Sequence, residues 1–311
     1  GSYTALKVDV QVPDRQQRLG GMKIKLPAGL MGKLGGMSTC ALVQAEQLSC
    51  PESTRVGAVR VLLGAGEKQI PIPGTVFLTE SIGDSPAGFS IVLDAKAGPV
   101  DLGRIAISAR IRVNRSPFGL LVDTDALPQI VGGVPIVVRG FSMTIDSPKF
   151  LSNPTGCTGN QISGEFTSAE GIKVSAASPF EVVGCDKLAF APKLNVTVDA
   201  KGATKVGSKP GVSTTLQLPD KSSSMSLAKI GMPQVFGIDT KRLTKVCSEL
   251  RYQMDQCPSE TQVGNAKVAT PLLATPLLGK VYLVKGSGEI VPRLAIALRG
   301  LISMDLTGDV D

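Results

Sequence analysis

The chain has no histidine and no tryptophan among its 311 residues. Without imidazole there is no Ser-His-Asp or Cys-His nucleophile system and no histidine general base. Metal centres that rely on histidine ligands are excluded on the same ground. Aromatic residues make up 4% of the chain, with 3 Tyr, which supplies the stacking platforms of a single-strand nucleic-acid or sugar-binding groove poorly. No apolar run approaches the ~18 residues of a membrane-spanning helix. A signal peptide is not expected at the start of the chain, and Gly1-Ser2 is expected to be a cleavage scar. The net charge of +7 is spread over isolated residues such as Lys23, Lys25, Arg104, Arg110 and Arg112. Nucleic-acid binding calls for a clustered basic stripe, so none is expected. No glycine run has the P-loop or dinucleotide pattern; Gly132, Gly133 and Gly140 read as turn or bulge glycines.

What the chain does have is 35 Gly and 21 Pro scattered between short apolar runs, which predicts many turns and few long helices. Arg104 to Val113 alternates with period two, placing Ile105, Ile107, Ala109, Ile111 and Val113 on one face and Arg110 and Arg112 on the other. Ile136 and Val138 set one phase, and Phe141, Met143 and Ile145 set the opposite one. A β-bulge beside Gly140 is expected to absorb the extra residue. Leu194, Val196 and Val198 form a further alternating strand. Thr240 to Cys247, with Asp239 as N-cap, is the best helix candidate, and the region before Cys40 is its weaker twin.

The chain repeats itself at an offset near 206 residues. Val10-Gln11-Val12-Pro13-Asp14 recurs as Leu216-Gln217-Leu218-Pro219-Asp220, and Pro27 recurs as Pro233. Cys40 and Cys50 match Cys247 and Cys257 with nine residues between them in both copies. The following Cys50 to Gly57 matches Cys257 to Gly264, and Gly74 to Leu78 matches Gly279 to Leu283. The first copy runs on through Cys157 and Cys185, whereas the second reaches Asp311 before a counterpart of that pair, so the natural protein is expected to continue.

Six cysteines in three pairs, two of them at repeated spacing, predict disulfides Cys40–Cys50, Cys157–Cys185 and Cys247–Cys257. Zinc sites favour cysteines two to four apart, often with histidine, and neither occurs here. Disulfides persist outside a reducing cytosol, so an extracellular or cell-surface location is expected. Among other candidates, Asp123-Thr124-Asp125 offers two calcium-type oxygens, with Asp101 and Asp146 as additions, although a turn explains the same residues and no metal is expected. Ser226 to Lys229 has Ser-x-x-Lys spacing, but Gly20 replaces the serine in the first copy. Asn195-Val196-Thr197 is a glycosylation sequon if the host is eukaryotic. A carboxylate pair for glycoside cleavage is a three-dimensional matter that spacing leaves open.

The motif series resembles a group of large secreted repeat proteins of high-GC Gram-positive bacteria with no assigned activity. It comprises Leu26-Pro27-Ala28-Gly29-Leu30, the Cys40 to Gly57 block, Gly74 to Leu78, Gly98 to Gly103, Asp125 to Pro128, Pro135 to Arg139, Phe150 to Cys157, and Cys185 with Leu188 and Phe190. Here Gly140 stands where that group has a bulkier residue. The resemblance implies an envelope or extracellular location and tandem repetition, and carries over no site residues.

The expectation is an all-β chain of tandem immunoglobulin-like β-sandwich units, each with one disulfide, over 1–97, 98–207 and 208–311, with short helical turns near Cys40 and Cys247. Its expected role is a non-catalytic, structural or interaction segment of a larger surface protein, without cofactors. Its partners would be other repeats of the same polypeptide and a cell-envelope glycan or protein. An adhesin module binding a glycan or protein ligand is the alternative, and a carboxylate-based hydrolase the third reading.

Overall fold

Ten strands of the first copy join one sheet. The computed structural model describes residues 2–308 apart from 65–67, 98–99, 116–117, 200–204, 220–221, 232–243, 271, 287 and 289–290. The strands of the sheet are β1 (Leu6–Gln11), β2 (Leu19–Lys25), β3 (Arg55–Leu63), β4 (Ile70–Thr79) and β5 (Ala87–Ala97). They continue with β6 (Val100–Arg115), β7 (Phe118–Thr124), β8 (Val138–Ile145), β9 (Gln161–Ser168) and β10 (Lys173–Pro179). Their order is β10-β9-β2-β7-β6-β5-β4-β3-β8-β1, and every pairing is antiparallel.

The all-β class holds, but the division into units does not follow the sequence reading. The boundary placed at 97/98 falls in the β5–β6 hairpin, whose ladder runs from Ala87↔Ile111 to Ala97↔Val100. Gly-Pro turn chemistry marks a hairpin as readily as a linker; residues 98–99 themselves lie outside the described residues. Segments 1–97 and 98–179 therefore share one sheet, a single continuous path where an immunoglobulin-like sandwich has two stacked sheets. A sheet of about ten twisted strands curls. Here it curls far enough that edge strand β1 and the opposite edge pair β9–β10 line one cavity from its two sides.

Alternation explains which face turns inward. Along β6, Ile105, Ile107, Ala109, Ile111 and Val113 all join the core, together with Phe89 and Ile91 of β5 and Phe141 and Ile145 of β8. The phase switch in β8 is a bulge: its register against β3 shifts between Val138 and Gly140. A Cβ on Gly140 would lie 2.7 Å from the Val10 carbonyl oxygen, so the close strand approach needs glycine there. The bulged Arg139 is buried and pairs with Asp14. Gly132 and Gly133, both at positive φ, turn the small hairpin Ile130–Val131/Val134–Pro135, as a two-residue primed turn requires.

After a hairpin of β11 (Lys193–Asp199) and β12 (Gly211–Gln217), the second copy builds its own sheet from β13 (Gln262–Val268), β14 (Leu277–Lys285), β15 (Arg293–Arg299) and β16 (Met304–Gly308). The helices are α1 (Leu42–Glu46) and α2 (Glu249–Gln253), each between the two cysteines of its block. Of the helix expected over Thr240–Cys247, 240–243 lie outside the described residues, 244–246 are irregular, and Cys247–Ser248 is a short strand parallel to β14. Pairing with Val284 takes Cys247 into the sheet, and Ser248 becomes the N-cap, its Oγ accepting from the Arg251 amide at 3.5 Å.

The repeat supplies a controlled comparison at one glycine. A Cβ on Gly57 would sit 2.1 Å from the Thr144 carbonyl oxygen of β8, whereas on Gly264, its counterpart, it would meet nothing nearer than Val281 at 3.7 Å. Gly57→Ala is therefore expected to destabilise by ~1–3 kcal/mol or more. Gly264→Ala is expected to stay within about 0.5 kcal/mol. Urea unfolding of the two variants checks the difference, and equal losses would contradict the role given to β8.

Candidate functional site

The Cys-x9-Cys block folds the same way in both copies. Cys40–Cys50 and Cys247–Cys257 are disulfides with Cα separations of 5.3 and 5.4 Å, and Cys40 and Cys247 are buried. Each block then turns through a short 3-10 segment, where Thr54 and Thr261 donate their hydroxyls to the carbonyls of Pro51 and Pro258, both at 2.7 Å. One residue past each helix C-cap the chain takes a positive φ, Leu48 at 56° and Asp255 at 55°. Cys40 is pinned to β4 by its amide to Leu78 O and its carbonyl from Glu80 N. The third bridge, Cys157–Cys185, lies nearer the surface.

The copies diverge where charges surround the block. In the second, the Arg299 guanidinium bridges Asp255 and Asp305, and Tyr252 donates its hydroxyl to Asp305 at 3.3 Å. Burial pushes the Tyr252 phenol up to about 12, with the Asp305 carboxylate adding to it. In the first copy Arg104 instead donates to the Leu48 carbonyl at 2.8 Å and pairs with Asp94.

The calcium candidates are engaged by cations. Asp123 is shared by Arg110 and Arg112, each at 3.3 Å, and Arg110 also reaches Asp125 at 2.9 Å. Arg110 is held above its ordinary range, chiefly by the hydrogen bond to Asp123 and then by the Asp125 charge. The cause is strand register: Arg110 stands directly opposite Asp123 across β6–β7. Asp101 pairs with Lys96 and Asp146 with Arg55, on other parts of the surface. Asp101 is held below the usual carboxylate range, first by the Gly103 amide and then by Lys96. The described residues contain no cluster of three potential metal ligands. Ser226 and Lys229 are both exposed on an irregular segment. Asn195 is exposed on β11.

What single-strand reading did not reveal is the space the curled sheet encloses. A chamber of about 210 Å³ lies inside it, walled by Met22, Phe89, Ala109, Leu120, Met143 and Phe150 among others. Among the described residues of its lining, two side chains carry a polar atom, and both are engaged: Thr124 Oγ1 with the Met22 backbone, and Thr270 Oγ1 with the Leu272 amide. Apolar volume is costly to leave unfilled, at ~24 cal/mol per Å³, on the order of 5 kcal/mol for this chamber. The second copy supplies part of the wall through Val268, Leu272, Leu273, Leu277, Ile302 and Met304. Period-two alternation predicted that each strand has an inward face; it carries no information on how far opposing faces stand apart.

At that junction the Leu34 and Gly35 amides both donate to the Leu272 carbonyl, at 2.8 and 3.1 Å. A Cβ on Gly35 would lie 3.2 Å from the Leu273 backbone, so the two chain segments run in close contact.

The three disulfides fit an oxidising environment. Among the described residues no helix is long and apolar enough to cross a membrane. Comparison with protein-family models, with curated proteins and with solved structures finds no match to this chain.

Proposed function

We propose that this chain is a non-catalytic extracellular repeat segment of a larger bacterial surface protein, with a structural and interaction role. The observation that supports it best is the junction: the second copy completes the apolar interior of the first, and its Leu272 carbonyl takes two backbone hydrogen bonds from residues 34 and 35. Repeats that share a core in this way transmit orientation from one to the next, unlike beads on a flexible linker. Disulfides at the start of each copy resist unfolding in an oxidising exterior.

Other repeats are the expected neighbours. The β11–β12 hairpin presents Leu194, Val196, Val198 and Val212 on one face, each more than a third exposed. A two-stranded ribbon is marginal on its own in water, so a packing partner over this face suits the reading.

Leu272→Asp is the test. In the parent protein both copies are expected to melt in one calorimetric transition. The aspartate, forced against the apolar wall, is expected to uncouple them into two transitions and lower the first by several degrees. Two independent transitions in the parent protein would overturn the shared-core reading. Labelling of intact cells with an antibody to this segment tests the location, and signal only after lysis would refute it.

A further inference from the structure

We propose that the curled sheet of the first copy is a binding site for a single-chain amphiphile, with the acyl chain in the chamber and an anionic head at Arg18. The chamber, about 210 Å³, exceeds the ~150 Å³ apolar cavity that takes up benzene. Its wall includes Met22, Met31, Met143 and Met304, unbranched side chains that adapt to a flexible guest. A second cavity of about 660 Å³ lies in the seam between β1 and β9–β10. Val8 and Ile24 line both cavities, so these two side chains stand between the seam and the chamber, and a chain entering by the seam would pass them.

The seam is lined by Val10, Ile162, Val174 and Ala176 together with the polar Gln16, Gln17 and Arg18. Arg18 is half-buried and forms no ion pair among the described residues. The acidic neighbour in the seam, Asp9, is held by Lys7 at 3.3 Å. An apolar chamber, a lateral slot and a guanidinium at the slot match the order of parts in a fatty acid: methyl end, chain, carboxylate.

The experiment uses the full chain with dodecanoate, dodecanol and the fluorescent fatty acid cis-parinarate as probes. Saturable one-to-one binding of cis-parinarate, displaced by dodecanoate, is expected. Ala109→Leu, which extends a side chain into the chamber, is expected to weaken binding by about tenfold. Arg18→Gln is expected to weaken dodecanoate by about threefold and leave dodecanol unchanged. Should Ala109→Leu fold poorly, methyl NMR of the parent protein decides. Dodecanoate is expected to shift the ε-methyl signals of Met22 and Met143 and not that of Met254. No saturable binding, or shifts confined to Met254, would overturn the proposal. A response of the chamber methionines with equal affinity for Arg18→Gln would overturn the assignment of the head group.

Discussion

Phe150→Ala is expected to lower stability by ~3–5 kcal/mol, read as a fall in urea midpoint at unchanged slope. Phe150 is 2% exposed, and its ring stands edge-on to Phe89 with centroids 6.5 Å apart, so truncation removes both a chamber wall and an aromatic pair. The backbone around it is fixed as well: the Lys33 amide donates to Phe150 O at 2.7 Å, and Gly32 faces the ring, where a Cβ would meet it at 3.6 Å, an ordinary contact. The surroundings therefore have small freedom to collapse into the space left. Val43→Ala, on the exposed side of α1 at 62% exposure, serves as the control. It is expected to change stability by less than about 0.5 kcal/mol. A Phe150→Ala loss of similar size to the control would mean that the chamber wall is not part of the cooperative core.

The second large effect concerns the repeated staple. Replacing Cys40 and Cys50 together by alanine is expected to cost about 3 kcal/mol, the loop-closure value for a bridge of this span. The two cysteines are 10 residues apart, and Cys40 is fully buried. Differential scanning calorimetry of the double variant gives the number. The matching replacement of Cys247 and Cys257 should cost about the same in the second copy, because span and Cα separation agree between the copies. Undiminished stability in both double variants would show that the hydrogen bonds pinning Cys40 to β4 hold the block without its covalent link.

Part of this architecture can be read in the residues. The alternation from Ile105 to Val113 gave the buried face of β6, and the phase change at Gly140 gave the bulge, because both are properties of one strand. The pairs Cys40–Cys50 and Cys247–Cys257 were legible because the block repeats, and Cys157–Cys185 was the pair that remained. The boundary at 97/98 misled because the turn signal is local, while membership of a sheet depends on what pairs across the turn. The ion pairs of Asp123 were not legible for a related reason. Arg110 and Arg112 alternate on one strand and Asp123 lies on the next, but only the register shows that Arg110 faces Asp123. The chamber is the least legible feature, since each strand contributes only a few of its wall residues and its volume is set by curvature.

The tyrosines give the protein a built-in optical reporter. Of 3 in the chain, Tyr252 and Tyr282 lie edge-to-face in the core of the second copy at 6.4 Å, while Tyr3 sits half-exposed near the start. With no tryptophan to drain or mask their emission, ultraviolet fluorescence watches chiefly the second copy, which holds two of the 3 tyrosines. Circular dichroism in the far ultraviolet watches the strands of both. Superimposing the two melting curves therefore asks, without any label, whether one copy lets go before the other.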